Sequence, residues 1–226
     1  MRPFSISEHC AQLIDQYPSS DMLLSVAQAM NRDERRRFIR LWLTEGIPFA
    51  FRDAPMMYET VRSWLASQFE THPKLITIIG SARIGYSLAP RPQYGRPFGV
   101  NSDLDLVVVS ENIFSSLSDT FYKWKADVAV GSVQARNETE RTFWEDNLSR
   151  LPKNISKGFV DAHKIPYWSR YPLAQNVANT MWMLKEILAA TPIAPKIRKA
   201  TVRAYRDWEA LLEQMEINFF YILKSL

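Results

Sequence analysis

The apolar positions of the first 70 residues recur at helical spacing. Residues 8–17 and 21–30 each carry such a stripe, with Pro18 between them. Asn31 and Glu34 have the spacing of a capping box at the head of the run RRRFIRLWLTEG, which Gly46 closes. Asp53 is placed to cap a fourth helix over 54–70, with Pro55 in its first turn. Met57, Val61, Trp64, Leu65 and Phe69 share one face of that helix. The pattern changes at Lys74. The run LITIIG over 75–80 is short, apolar and β-branched, and it reads as a buried strand. DLDLVVVS over 103–110 reads as a second strand, and ADVAVGSV over 126–133 as a third. Asn137 and Glu140 repeat the capping-box spacing before a helix over 138–150, and KGFVDAHKI over 157–165 reads as a further strand. From Pro172 to the end the pattern is helical again, with a break near 191–195.

The order of elements predicts an α+β fold, with helical segments over 1–73 and 171–226 framing a small mixed sheet over 74–170. Composition agrees with a globular chain: 46% of residues are hydrophobic and 23% charged, which excludes disordered, collagenous and rod-like classes. The single cysteine, Cys10, rules out an intramolecular disulfide and a cysteine-rich zinc site. No run of 18 apolar residues is present, and the first ten residues lack the apolar centre of a signal peptide. A cytoplasmic protein with no membrane partner is therefore expected. The net charge of +4 lies in the last two thirds of the chain. It suits an anionic small molecule or a transient contact with nucleic acid, and falls short of a dedicated DNA-binding stripe.

Chemistry concentrates between residues 80 and 105. Four of the seven glycines fall at 80, 85, 95 and 99, with prolines at 90, 92 and 97, so residues 90–100 form a loop between two strands. Gly80 through Gly85 fit a dinucleotide fingerprint loosely, but the prolines interrupt the helix that such a unit requires. Its ribose-binding acid would also close the second strand, whereas Asp103 and Asp105 open theirs. The alternative takes both halves together. Gly80 allows close backbone approach, Ser81 adds a hydroxyl, and the amides of a helix start cradle a phosphate. Strand alternation puts Asp103 and Asp105 on one face, where their mutual repulsion calls for a divalent cation. Oxygen ligands suit Mg²⁺ or Mn²⁺.

At IIGSARIG and NSDLDLVVV the chain resembles the polymerase-β-like nucleotidyltransferase superfamily, whose signature is an apolar strand, Gly-Ser, a short helix, then Ser-Asp-x-Asp opening an apolar strand. The matching residues are Gly80, Ser81, Ser102, Asp103 and Asp105, within roughly residues 74–110. The resemblance implies a mixed sheet of nucleotidyltransferase type and metal-dependent transfer of a nucleoside monophosphate from an NTP to an acceptor, with release of pyrophosphate. The acceptor, whether protein, RNA or small molecule, is left open. Asp103 and Asp105 would hold the metal, and Gly80, Ser81 and Ser102 would line the nucleotide site. A third catalytic, metal-holding carboxylate on a neighbouring strand is implied, with Asp161 the choice and Asp127 the alternative. A second reading is an inactive module of the same type that binds nucleotide, nucleic acid or a protein.

Other residues have both a functional and a structural reading. Arg83, two residues after Ser81, is either a triphosphate clamp or a surface arginine. Ser87, Arg91, Tyr94 and Arg96 border the loop and read mainly as solvated. His163 shares a strand face with Asp161. Tyr167, Trp168 and Tyr171 read as core walls before stacking platforms. Two basic groups, Arg32 to Arg40 and Lys196 to Arg206, read as exposed faces of helices.

Overall fold

The computed structural model describes residues 3–225. Helices α1 (Glu8–Ala11), α2 (Ser20–Ala29) and α3 (Arg32–Phe38) come first, and α3 runs on as a wider π-helical turn over Ile39–Thr44. The capping box is formed: Asn31 Oδ1 accepts from the Glu34 amide at 3.0 Å, and Glu34 Oε2 accepts from the Asn31 amide at 2.9 Å. Then follow α4 (Pro55–Gln68), β1 (Ile76–Ile79), α5 (Ser81–Ile84), β2 (Asp103–Val109), α6 (Glu111–Ala129) and α7 (Glu138–Ser156). The chain ends through β3 (Phe159–Asp161), α8 (Pro172–Ala190), β4 (Lys199–Tyr205) and α9 (Trp208–Ser225). Among the described residues no helix is long and apolar enough to cross a membrane.

The fold is α+β, with a four-stranded mixed sheet in the order β1-β2-β4-β3. β2 is antiparallel to β1 and parallel to β4, and β3 is antiparallel to β4. Register divides the side chains by face. Ile76, Ile78, Leu104, Leu106, Val108, Val160, Val202 and Ala204 join the main core with α4, α6, α7 and α8. The opposite face carries Val107, Val109, Phe159 and Tyr205, which pack against Ala210 and Leu211 of α9. A third apolar cluster joins α2, α3 and α5 to Leu212, Phe219 and Ile222 of α9. Beyond the reach of α9 the second face turns polar, with Asp103 and Asp105 on β2 beside Lys199 and Thr201 on β4.

Three expectations are corrected. Residues 126–133 are no strand. They are the end of α6 and its exit turn, because Phe114, Leu117, Phe121 and Trp124 bury a helical face and Ser110 accepts a cap bond from Ile113. The strand over 157–165 shrinks to three residues, and the chain turns into a 3₁₀ turn at Ala162–Lys164. The basic group of residues 196–206 is no helix, since Lys199–Tyr205 form β4. Its Thr201, Val202 and Ala204 alternate across the two faces, and seven residue pairs along β2 fix it in place.

Candidate functional site

β1 and β2 bring the Gly80-Ser81 turn and the Asp103–Asp105 strand opening together. Their antiparallel register sets Ile79 opposite Asp105, so the following Gly80 and Ser81 reach the side of the Asp105 carboxylate. Gly80 has φ of +70°, and a Cβ there would lie 3.3 Å from Asp105 Oδ2. Of the first-turn amides after Gly80, that of Arg83 donates to the Gly80 carbonyl at 3.0 Å, which leaves those of Ser81 and Ala82 without a helical carbonyl to bond. Gly80→Ala is expected to cost about 1–3 kcal/mol from backbone strain alone and to crowd Asp105. Chemical denaturation checks this, and a stability loss of that size is the expected outcome.

A cavity of 490 Å³ opens over this junction. Its polar side has Ser81, Arg96, Asn101, Asp103, Asp105 and Arg198, and its apolar side has Leu43, Leu88, Met215, Phe219, Tyr221 and Ile222. The loop between α5 and β2 folds back as a flap over it. Ser87 donates its amide to the Arg96 carbonyl at 2.9 Å, Gly95 donates to Ser87 at 2.9 Å, and Tyr94 anchors the tip by donating its hydroxyl to the Ser20 carbonyl of α2 at 2.8 Å. The sheet and this flap form one wall, and α9 forms the other.

Both carboxylates have internal partners. Asp103 accepts a bidentate pair of bonds from Arg198 Nε and Nη2, each 2.9 Å, with Lys199 Nζ at 3.6 Å. Burial alone would raise the Asp103 pKa, but Arg198 and Lys199 outweigh it and hold the carboxyl below its usual range. Asp105 accepts from Thr201 Oγ1 at 2.7 Å. On the strand next to β2, the positions facing Asp103 and Asp105 are thus Lys199 and Thr201. Among the cavity's lining residues, these two aspartates are the only acids.

The remaining sequence candidates lie elsewhere. Asp161 is on the same face of the sheet as the pair, but β4 separates it from β2, and its register partner is Arg203. It is 2% exposed, with Arg203 Nε at 2.5 Å, Lys164 Nζ at 3.1 Å and Asn154 Nδ2 at 3.3 Å. Burial pushes its pKa up, and the two cations pull it further down. Asp127 sits on α6 and takes both Arg170 nitrogens at 2.8 Å and the Tyr171 hydroxyl at 2.9 Å. Neither candidate third acid therefore meets Asp103 and Asp105. Arg83 is buried and turned away from the cavity, with Nε donating to the Trp42 carbonyl at 2.9 Å. Ser102 is buried, and its hydroxyl oxygen accepts from the Gly99 amide at 3.1 Å, which shapes the turn before β2. Sequence reasoning missed Arg198, Thr201 and the α9 wall. Only the basic residue at 198 carried a signal, and it was assigned to a helix.

Away from the cavity, His9, Cys10 and Glu34 offer ligand atoms within 4.8 Å of one another, a cluster that could hold a metal ion. No protein-family model matches the chain, and comparison with curated proteins and with solved structures finds no match.

Proposed function

We propose that the cleft between the sheet, the flap and α9 binds an NTP with Mg²⁺ or Mn²⁺ and transfers its nucleoside monophosphate to an acceptor. The observation that carries this reading is the close approach of Gly80 to Asp105, with Ser81 lining the same cavity. A side chain at Gly80 would fill that space, and glycine leaves it open to a phosphate. Two carboxylates opening one strand supply the oxygen donors a hard divalent cation needs. Asp103 and Asp105 would hold the metal, which, when bound, neutralises phosphate charge and polarises the phosphoryl oxygens. The amides of Ser81 and Ala82 and the Ser81 hydroxyl would receive the terminal phosphates. Arg198 and Arg96 face the same space and offer further phosphate contacts. Tyr221 lines the apolar side of the cavity and is exposed, an aromatic ring on which a base would stack.

Without ligand, Arg198 competes with the metal for Asp103. Arg198→Ala is expected to tighten binding of Mn²⁺ alone by a few-fold, because an exposed ion pair competes only weakly. Stability should change little. Paramagnetic resonance of free Mn²⁺ measures the first and urea unfolding the second.

One observation favours a second reading, nucleotide binding without transfer. Thr201 holds the place beside Asp105 on β4, and Asp161 is committed to Arg203 and Lys164. Incubation with each labelled NTP and Mg²⁺ or Mn²⁺, with products read by mass and pyrophosphate assayed, tests the proposal. Pyrophosphate release with a labelled acceptor supports transfer. Metal-dependent binding with no pyrophosphate selects the second reading.

A further inference from the structure

In the segment before α2, Leu13 is buried in the apolar cluster of α2 and α3 and Cys10 packs against it, but the rest is thinly held. Phe4 and Ile6 are exposed, and the four residues of α1 include no buried side chain. A helix of one turn does not hold together by its own hydrogen bonds. Beside the packing of Cys10, its attachment to α3 is polar. His9 Nε2 lies 3.1 Å from Glu34 Oε2 and 3.0 Å from Ser7 Oγ. Cys10 is a free thiol, and its Sγ falls in the same cluster, all within 4.8 Å.

We infer that His9, Cys10 and Glu34 form a binding site for a borderline transition-metal ion, zinc by preference. The inference is independent of the cleft. An imidazole and a thiolate discriminate against Mg²⁺ and Ca²⁺, and with a carboxylate they make a set that Zn²⁺ accepts. Metal bonds of about 2.0 Å to nitrogen or oxygen and 2.3 Å to sulfur place the ligand atoms of a tetrahedral site about 3.3–3.7 Å apart. The His9–Glu34 separation of 3.1 Å is close to that already. The other ligand atoms, all within 4.8 Å of one another, would close to that spacing by side-chain rotation. Glu34 Oε2 accepts from the Asn31 amide at 2.9 Å through one lone pair, and the same oxygen, the one His9 approaches, ligates through the other, so the helix cap is kept. Three protein ligands leave a fourth place, which the Ser7 hydroxyl or a water fills. On binding, the Cys10 thiol releases its proton to solvent and the His9 proton shifts to Nδ1. Glu34 is already anionic, and no electron is exchanged. The ion would tie positions 25 residues apart and fasten α1 to α3.

Cobalt titration of the full chain tests this. We expect a thiolate-to-cobalt charge-transfer absorption that saturates at one ion per chain and is bleached by Zn²⁺. Cys10→Ser should abolish the band. His9→Asn should weaken Co²⁺ binding at least about tenfold. Zn²⁺ should slow amide exchange over residues 5–12 in the wild type and not in His9→Asn. Asp105→Asn should leave every one of these signals unchanged. The absence of the band from the folded wild type, or an undiminished affinity in His9→Asn, would overturn the site.

Discussion

Replacing Asp105 by asparagine is expected to weaken metal-dependent NTP binding about a hundredfold or more, on the order of one lost charged ligand contact, with little change in the stability of the unliganded protein. Asp105 is the carboxylate that Gly80 approaches, and its only hydrogen-bond donor among the described residues is the Thr201 hydroxyl. Asparagine keeps the shape and accepts that bond through its amide oxygen, while removing the charge a cation needs. It also removes one of two neighbouring negative charges, so the folded state loses nothing electrostatic when no metal is bound. Titration calorimetry in Mn²⁺ gives the affinity, and thermal unfolding without nucleotide gives the stability. An unchanged affinity would take Asp105 out of the metal site. A collapse of stability would make it structural.

Asp161→Asn should act in the opposite way. Its carboxylate is buried between Arg203 and Lys164, and removing one partner of such a group leaves the cations without compensation. The expected loss is about 3 kcal/mol of folding stability, with metal-dependent NTP affinity close to wild type. The pH dependence follows from the same contacts. A carboxyl held below its unfolded pKa of about 3.9 contributes stability above that pH and loses it as pH falls through the lower, folded value. Wild type and Asp161→Asn should therefore differ most near pH 7 and converge in acid. Urea unfolding at pH 7 and pH 3 checks both statements. If Asp161→Asn kept its stability and lost nucleotide turnover, Asp161 would be a metal ligand that moves on binding.

The parts of the fold that could be read in advance are those whose signals are local. Asn31 with Glu34, and Asn137 with Glu140, announce helix starts because a cap bond spans three residues, and both cap bonds are present. β1 and β2 are apolar runs bounded by turn residues, which the sequence displays directly. β4 was hidden because its partner β2 lies about a hundred residues away and pairs with it in parallel. Nothing near Lys199 announces that pairing, and the surrounding Lys and Arg residues suit an exposed helix equally well. The VAV of residues 128–130 misled for the converse reason. A β-like triplet at the end of a long amphipathic helix yields to the helix, whose Phe121 and Trp124 are fully buried. The candidate site divides along the same line. Gly80, Ser81, Asp103 and Asp105 were found through a compact pattern, whereas Arg198, Thr201 and the wall of α9 come from distant segments. Asp161, expected as a metal ligand, closes a short buried strand, where a carboxylate needs a compensating charge. Arg203 and Lys164 supply that charge, one by cross-strand pairing and one from the following turn.

Calorimetric titration of the full chain with each NTP, in Mn²⁺ and again in excess chelator, decides whether the cleft is a metal-nucleotide site. Saturable binding at one nucleotide per chain is expected in Mn²⁺ and its loss in chelator, with Asp105→Asn in Mn²⁺ behaving like wild type without metal. Equal binding with and without metal, or no binding of any NTP to folded protein, would contradict a metal-nucleotide site.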